Sequence, residues 1–407
     1  MREMKDSGIE WAGVIPNTWN INKGKYFMEL LTRPTLETDE VITCFRDGEV
    51  TLRSKRREEG FTVSLTEAGY QGIEIGDLVV HGMDGFAGSI GISDSRGKAT
   101  PVLNVLDTEQ NKRYMMYLMR TMAYCELFLS LATGIRVRTC DTNWKKLREI
   151  DYILPTIPEQ KAIADFLDEQ CAEIDSLISD IQSQIEALEE YKRSVITEAV
   201  TKGLDPDVEM RDSGVQWIGM MPTHWDCQRG KYLLRYVQKP VRDDDGVITC
   251  FRDGEVTLRS NRREEGFTMA DKEIGYQGID VGDLVVHGMD GFAGSIGISD
   301  SKGKASPVLN VLDTEQNKRY IMYYLRSMAY NDVFVALATG IRVRSCDLRW
   351  NKLAELLYPM PPVEEQQAIV EHINSVLERT NAIIADKKQQ NTAMTEQKQL
   401  WTYSLTK

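Results

Sequence analysis

The 407-residue sequence contains one unit written twice, and this repeat constrains the fold more than any other feature. The segment VITCFRDGEVTLRS at residues 41–54 recurs letter for letter at residues 247–260, so the offset from 41 to 247 is 206. Three further segments recur at that offset without a gap: residues 77–95, 101–114 and 131–138. The period is too long for a solenoid repeat and indicates a duplicated domain.

A long amphipathic helix is predicted to follow the first copy. Residues 156–159 read Thr-Ile-Pro-Glu, a capping-box pattern, and Gly203 with Pro206 supplies stop signals. Between them an apolar stripe, the seam along which this helix would pair with another, steps alternately by four and three residues. Its positions are Leu167, Cys171, Ile174, Ile178, Ile181, Ile185, Leu188, Lys192 and Val195. Lys192 breaks the apolar run, and we expect Tyr191 to cover the gap. About forty residues at ~1.5 Å each make a rod of roughly 60 Å, which suits a spacer paired with another helix.

The corresponding second helix, at residues 364–406, has a poorer seam. Its positions are Ile373, Leu377, Thr380, Ile384, Lys387, Asn391, Met394, Lys398 and Trp401. Polar residues inside a seam commonly set its register. The predicted division is a first domain at residues 1–158, a central helix at 159–203, a second domain at 204–363 and a C-terminal helix at 364–407. The chain ends two residues before the position that matches Gly203, so we expect two units to be the complete object.

Each globular domain carries mixed signals. Asp47-Gly48 between two apolar runs predicts a hairpin with a type I′ turn, in which both residues have positive φ. Residues 78–81, 89–93 and 102–106 predict short strands, and residues 111–131 predict a helix. We therefore predict an α+β fold: two mixed α/β domains, related by pseudo-two-fold symmetry and separated by two long antiparallel coiled-coil helices.

Composition bounds the class of protein. The chain is 42% hydrophobic, and no apolar run approaches the ~20 residues that span a bilayer. Seven cysteines without a C-x-x-C pair, and no secretory signal, predict a cytoplasmic protein. The net charge of −13 argues on its face against nucleic acid, but local clustering of basic residues is the better guide.

No catalytic or metal site is predicted. The sequence lacks a phosphate-binding G-x-x-x-x-G-K-[ST] loop and the Asn/Asp-Pro-Pro-Tyr motif of amino methylation. Four glycines recur every three residues, a spacing that favours turns and close backbone approach over phosphate contact: Gly82, Gly85, Gly88 and Gly91. His81 and His287 have no second ligand at metal spacing. Asp84 and Asp290 do not exclude acid–base or nucleophilic catalysis, but they lie among glycines and could equally be turn residues.

Clusters of basic residues are the sequence feature that points to a function. The candidate DNA-binding residues are Arg53, Lys55, Arg56 and Arg57 with their copies Arg259, Arg262 and Arg263, and Arg136 and Arg138 with their copies Arg342 and Arg344. Arginine can bind guanine bidentately or grip phosphate. The alternative is a solvated face whose arginines pair with Glu58, Glu59 or Asp141; the duplication favours the functional interpretation. Asn261 replaces Lys55 in the second copy, which puts phosphate contact there in doubt for one half.

Three kinds of segment carry a resemblance to a known family. They are SGIEWAGVIPNTW at residues 7–19 with its copy from Ser213, residues 154–160 (LPTIPEQ) with their counterpart at 360–366, and AVTKGL at residues 199–204. With the order domain, helix, domain, helix over the whole chain, the sequence resembles the DNA-specificity subunit of type I restriction–modification systems.

The resemblance implies a subunit without catalysis of its own. It implies that each domain is a target recognition domain that binds one half of a bipartite DNA site, with a spacer set by the helices. Two methyltransferase subunits with S-adenosylmethionine would methylate one adenine in each half, and restriction subunits using ATP and Mg²⁺ would translocate and cut DNA. No cofactor is then expected in this chain.

Members of the family that this chain resembles generally keep their two helices alike and let their two recognition domains differ. In this chain the domains are nearly identical and the helices have diverged. We therefore expect identical half-sites in inverted orientation, which make a near-palindromic site. The alternatives are a self-contained DNA-processing enzyme, a coiled-coil scaffold without nucleic acid, and an orphan specificity subunit that borrows its partners.

Overall fold

The computed structural model describes residues 3–56, 68–130, 142–262, 274–337 and 348–403. The strands in the first half are β1 (Met4–Asp6), β2 (Val14–Pro16), β3 (Asn20–Lys23), β4 (Met28–Leu30), β5 (Ile42–Cys44), β6 (Val50–Leu52), β7 (Gln71–Ile73), β8 (Leu78–His81), β9 (Ile90–Ile92), β10 (Gly97–Ala99), β11 (Leu103–Thr108) and β12 (Asp151–Leu154). The helices there are α1 (Arg53–Arg56), α2 (Lys112–Tyr124), α3 (Leu127–Ser130), α4 (Trp144–Leu147) and the long α5 (Ile157–Lys202).

The second half repeats this order of elements. Its strands are β13 (Met210–Asp212), β14 (Met220–Pro222), β15 (Asp226–Arg229), β16 (Arg235–Tyr236), β17 (Ile248–Cys250), β18 (Val256–Leu258), β19 (Gln277–Ile279), β20 (Leu284–His287), β21 (Ile296–Ile298), β22 (Gly303–Ala305), β23 (Leu309–Asp313) and β24 (Leu357–Met360). Its helices are α6 (Gly230–Leu233), α7 (Lys318–Tyr330), α8 (Val333–Ala336), α9 (Trp350–Leu353) and the long α10 (Val363–Tyr403). Short 3₁₀ turns lie at Gly24–Tyr26, Gly85–Ala87, Arg259–Asn261 and Gly291–Ala293.

The chain forms two compact units that do not coincide with the two copies of the repeat. The first unit combines Met1–Gln182 with Gln389–Lys407, and the second is Ser183–Lys388. Each unit therefore holds one globular domain together with a segment of both long helices. The mixed α+β fold predicted from the sequence is confirmed.

A four-stranded antiparallel sheet forms the centre of the first domain, in the order β4-β11-β8-β9. Because side chains alternate along a strand, its two faces pack against different elements. Leu78 and Val80 face one side, in a core with residues of α2. Val79 faces the other side, in a core with Ile42 of β5 and Val50 of β6. The β5–β6 hairpin is thus held on the sheet face opposite to α2.

The second domain repeats this arrangement within its own unit. Its sheet has the order β16-β23-β20-β21, and a second hairpin pairs β17 with β18. Leu284 and Val286 belong to the core that contains α7, whereas Val285 packs with Ile248 and Val256.

The helix predicted at residues 111–131 is shorter than expected. Asn111 caps α2, accepting from the backbone N–H of Tyr114, but α2 ends at Tyr124. Glu126 has a φ of 57°, in the left-handed region that an α-helix cannot include. The chain then turns into α3 and buries Phe128 completely, so core packing outweighs the continuous helical pattern. Asp332 breaks the second copy in the same way, with a φ of 54°.

The predicted ends of the central helix agree with the structure. The backbone N–H of Thr156 donates to the Glu159 carboxylate at 3.2 Å, the reach-back contact of a capping box, and Gly203 has a φ of +77°. The seam residues Leu167, Cys171, Ile174, Ile181 and Ile185 are buried.

The seam changes after Leu188. Lys192 is half-buried and pairs with Glu189 at 2.9 Å, while Tyr191 is 51% exposed and does not cover the gap. The buried positions beyond it are Ile196, Ala199 and Val200 rather than Val195. These three belong to the core of the second domain, so the helix turns a different face to its surroundings there.

The long helices approach each other within each unit. In the first unit Lys398 Nζ lies 2.7 and 2.6 Å from the two carboxylate oxygens of Asp175. In the second unit a Cβ on Gly203 would lie 3.2 Å from Oε1 of Glu365. The end of α10 therefore lies beside the first half of α5 in the first unit, and the start of α10 lies beside the end of α5 in the second unit. No described helix has the length and apolarity needed to cross a membrane.

Candidate nucleic-acid interface

The tip of the β5–β6 hairpin carries the polar residues of the candidate interface. Phe45 N donates to Glu49 O at 2.8 Å and Gly48 N to Phe45 O at 2.9 Å, so three residues close the loop. Gly48 has a φ of +86°, whereas Asp47 does not have a positive φ. The predicted type I′ turn is therefore wrong. The loop is the three-residue kind, in which a left-handed glycine follows the tight turn.

Arg56, one of the predicted residues, is fixed against this tip. Its guanidinium donates to both oxygens of Asp47 and lies 3.1 Å from Glu49 Oε2. It also lies over the Phe45 ring, 4.2 Å from the centroid. Burial alone would raise the pKa of Asp47, but the hydrogen bonds from Arg56 and the Glu49 N–H hold it below its usual range.

Arg262 repeats this cluster in the second domain. It pairs with Asp253 at 3.0 and 2.5 Å and lies 4.3 Å from the Phe251 ring centroid. The acidic partners found are thus the hairpin's own carboxylates. The partners named for the solvated alternative, Glu58, Glu59 and Asp141, lie outside the described residues.

The remaining described candidates lie behind the tip. Arg53 Nε donates to Thr43 Oγ1 at 3.3 Å, and Arg259 makes the same contact with Thr249. Lys55 donates to Ser95 Oγ at 2.7 Å and lies 3.4 Å from Asp94. The other predicted residues lie outside the part of the chain that the structure describes: Arg57, Arg136, Arg138, Arg263, Arg342 and Arg344.

The change from Lys55 to Asn261 replaces one local contact with another. Asn261 Nδ2 donates to Thr257 Oγ1 at 2.9 Å, on the hairpin strand itself. The second domain therefore keeps a hydrogen bond at this position but loses its positive charge.

A pocket of about 510 Å³ lies between the hairpin and the glycine-rich turn of the first domain. Its wall includes Arg46, Asp84, His81 and Ser89. Arg46 Nη2 donates to Asp84 Oδ1 at 3.0 Å, and the arginine side chain remains 65% exposed. The second domain pairs Arg252 with Asp290 at 3.1 Å.

His81 is held as a neutral ring in this pocket. Its Nδ1 accepts the backbone N–H groups of Met83 and Asp84, at 3.2 and 3.0 Å, so the proton of the neutral ring is on Nε2. Burial lowers the pKa of His81, partly opposed by the Asp84 charge. His287 has the same contacts and the same direction of pKa shift.

The regularly spaced glycines bring the hairpin and the turn together. A Cβ on Gly91 would lie 2.0 Å from the Gly48 carbonyl oxygen, and Gly88 has a φ of +91°. A Cβ on Gly85 would lie 2.6 Å from Thr142 Oγ1. These positions need glycine for close approach and turning, the alternative that the sequence favoured.

The sequence prediction missed Arg46 and its copy Arg252 as candidates. Their signal was present, since an arginine next to the Asp-Gly of a predicted hairpin must project from its tip. Asp84 was considered as a catalytic or a turn residue but not as a DNA-binding one, and its pairing with Arg46, 38 positions away, is a tertiary contact. Among the described residues, no group of three or more His, Cys, Asp and Glu could hold a metal ion.

Comparisons with known proteins agree with the sequence resemblance. No family model matches the chain. The putative type I restriction enzyme MjaX specificity subunit of Methanocaldococcus jannaschii is 24% identical over 289 residues, which cover 67% of this chain and 64% of that protein. The match thus spans just under two thirds of the relative's own length. The resemblance to type I specificity subunits is confirmed.

Solved structures extend the likeness to nearly the whole chain. One similar chain comes from a study of the structural basis of complex assembly and conformational transition of the type I R-M system. It has a TM-score of 0.67 at 11% identity, and the match covers 95% of this chain and 97% of that chain. The HsdS subunit from Thermoanaerobacter tengcongensis has a TM-score of 0.50, at 12% identity, with 95% and 96% covered. At such identities the likeness establishes the fold alone.

Proposed function

We propose that this chain is the DNA-specificity subunit of a type I restriction–modification complex, a sequence-specific DNA-binding protein without catalysis of its own. The observation that carries the proposal is the duplicated domain-plus-helix, which matches type I specificity chains over 95% of its length. Two copies of a DNA-reading domain separated by a helical spacer suit a bipartite site.

The two half-sites are identical in this proposal. The hairpin tips support it, because Arg46, Asp47 and Arg56 of the first domain have the same contacts as Arg252, Asp253 and Arg262 of the second. The pseudo-two-fold packing expected of two copies of one unit favours inverted half-sites. The recognised site is then an interrupted near-palindrome.

The partners follow from the same proposal. Two methyltransferase subunits carrying S-adenosylmethionine methylate one adenine in each half-site, and restriction subunits that use ATP and Mg²⁺ complete the complex. The net charge of −13 suits protein partners over most of the chain, because only the DNA-reading patches need be basic.

The test is methylome sequencing of a host that expresses this chain with its methyltransferase subunit. The control host expresses the methyltransferase subunit alone. We expect methylated adenines in an interrupted near-palindrome only when this chain is present. Two unrelated half-sites would contradict the identical halves but keep the specificity role.

Assays on the purified protein distinguish the proposed function from its alternatives. If the chain alone cleaves or methylates DNA, it is a self-contained DNA-processing enzyme. If it binds no duplex in a gel shift with random DNA, a coiled-coil scaffold is the better description. If it acts only with methyltransferase subunits encoded elsewhere, it is an orphan specificity subunit.

A further inference from the structure

The Arg46–Asp84 pair has the chemistry of a base-reading group rather than a phosphate-binding one. Phosphate oxygens only accept hydrogen bonds, so a carboxylate beside them gains nothing and repels them. On a DNA surface, an exposed carboxylate instead finds donors in the amino groups of the bases. Asp84 is one-third exposed, and its Oδ2 is 4.0 Å from His81 Nε2, beyond hydrogen-bonding distance.

The pocket places donors and acceptors side by side, as at the edge of a base pair. Arg46 makes one hydrogen bond to the described residues, through Nη2, and most of its side chain is exposed. Ser89 is 1% exposed, lines the pocket, and its Oγ has no hydrogen-bond partner among the described residues. Ser295 has the same unpartnered Oγ in the second domain.

The hairpin that carries Arg46 is suited to the major groove, which admits a two-stranded β-ribbon. The tip is stiff, because Arg56 ties Asp47 to the Phe45 ring and Gly91 seats the loop against the sheet. Because its side chains start from a fixed backbone, less conformational entropy is lost when they bind a base.

Resting on the proposed function, we propose that Arg46 and Asp84 read one G·C base pair in the half-site bound by the first domain, and that Arg252 and Asp290 read the equivalent pair in the other half-site. The guanidinium donates to guanine O6 and N7, and the carboxylate accepts from the cytosine N4 amino group. Adenine could donate from its N6 amino group to the carboxylate, but it could accept only one of the two arginine hydrogen bonds, at N7.

The experiment is selection of bound sequences from a random duplex library by the purified full-length chain. It compares the wild type with Arg46→Gln, Asp84→Asn and Arg252→Gln. The matched control is Arg229→Gln, which removes another half-exposed arginine paired with a carboxylate, that of Glu355. Thermal melts of every variant separate misfolding from loss of recognition.

We expect the wild type to select a G·C pair in each half-site. Arg46→Gln should reduce the preference for that pair about 10- to 100-fold in one half-site only. Because the two half-sites are identical and inverted, Arg252→Gln should give the same loss confined to one half-site, and Arg229→Gln should leave both half-sites unchanged.

Three results would overturn the inference. Uniformly lower affinity with unchanged preference, and a salt slope reduced by about one, would make Arg46 a phosphate contact. Selection of an A·T pair at the position sensitive to Arg46 would exclude the assigned base pair. Both of these leave the proposed function standing, whereas a wild type that selects no sequence overturns it as well.

Discussion

Gln160 joins the long helix α5 to the first globular domain: its Oε1 accepts a hydrogen bond from the backbone N–H of Asn111, at 3.0 Å. Its Nε2 donates to the Pro155 carbonyl at 2.9 Å and to Gln110 Oε1 at 2.7 Å. Gln160 is fully buried, and its bond to the Pro155 carbonyl is buried with it. Gln366 makes the matching set of bonds in the second unit. One amide thus fixes the first turn of each long helix to the start of a domain helix.

Replacing Gln160 by alanine should lower the free energy of unfolding of the first unit by about 1–3 kcal/mol. The reason is that the partly buried Asn111 N–H and the Pro155 carbonyl both lose the amide that pairs with them. Urea denaturation measures the change, and Glu169→Ala, at an exposed position of α5 in the same unit, is the matched control, with an expected effect within about 0.5 kcal/mol. Equal losses in the two variants would show that the contact with Asn111 contributes nothing.

Gly91→Ala should push the hairpin off the sheet. The new Cβ would lie 2.0 Å from the backbone oxygen of Gly48, which can move only with the hairpin. We expect a loss of about 1–3 kcal/mol in stability, measured by thermal melting. Gly246→Ala is the control, since its Cβ would meet only the flexible end of Leu258. A similar melting temperature for both variants would mean that the hairpin accommodates the methyl group.

Two largely buried histidines, His81 and His287, predict a loss of stability in acid. Burial holds the pKa values of His81 and His287 below the usual 6.5, so the unfolded chain binds these protons more readily. Their contribution is complete above about pH 6.5 and is lost as the pH falls through that value toward their folded pKa values.

Urea midpoints between pH 7.5 and 5 measure this effect. The double variant His81→Gln, His287→Gln should show a shallower fall than the wild type over the same range. Parallel curves would assign the pH dependence to other groups.

The Arg136 and Arg138 pair can be tested although it lies outside the described residues. Replacing both by alanine should weaken specific DNA binding, because arginines two positions apart present their side chains to one face of an extended segment. Base contacts would cost about 1–3 kcal/mol each and relax the sequence preference; phosphate contacts would lower affinity evenly and flatten the salt dependence.

Lys161→Ala is the matched control for this pair, because it removes an exposed basic residue from α5. Unchanged affinity and unchanged salt dependence in the double variant would make the pair a solvated face.

Local features of the fold could be predicted from the sequence. The strand Leu78–His81, the hairpin position and both ends of α5 follow from short patterns of apolar, capping and glycine residues. The end of α2 could not be predicted, because Glu126 takes up a left-handed conformation only to let Phe128 reach the core. The pseudo-two-fold arrangement and the domain boundaries stay predictions.

The candidate site was harder to predict than the fold. Arg56 could be named from its basic cluster, but its stacking on Phe45 and its bonds to Asp47 depend on how the hairpin closes. The Arg46–Asp84 pair joins residues 38 positions apart, which only the packing of the hairpin on the glycine-rich turn brings together.

The mismatch between the compact units and the repeat has a consequence for assembly. A fragment ending at Gly203 contains one whole copy of the repeat, yet it lacks the α10 segment that completes its own unit. It also carries residues 183–202, whose buried side chains pack in the other unit. Two such fragments would have to meet by diffusion, so their association would depend on protein concentration. In the single chain each missing segment is supplied at a fixed effective concentration, and dilution cannot separate the two halves.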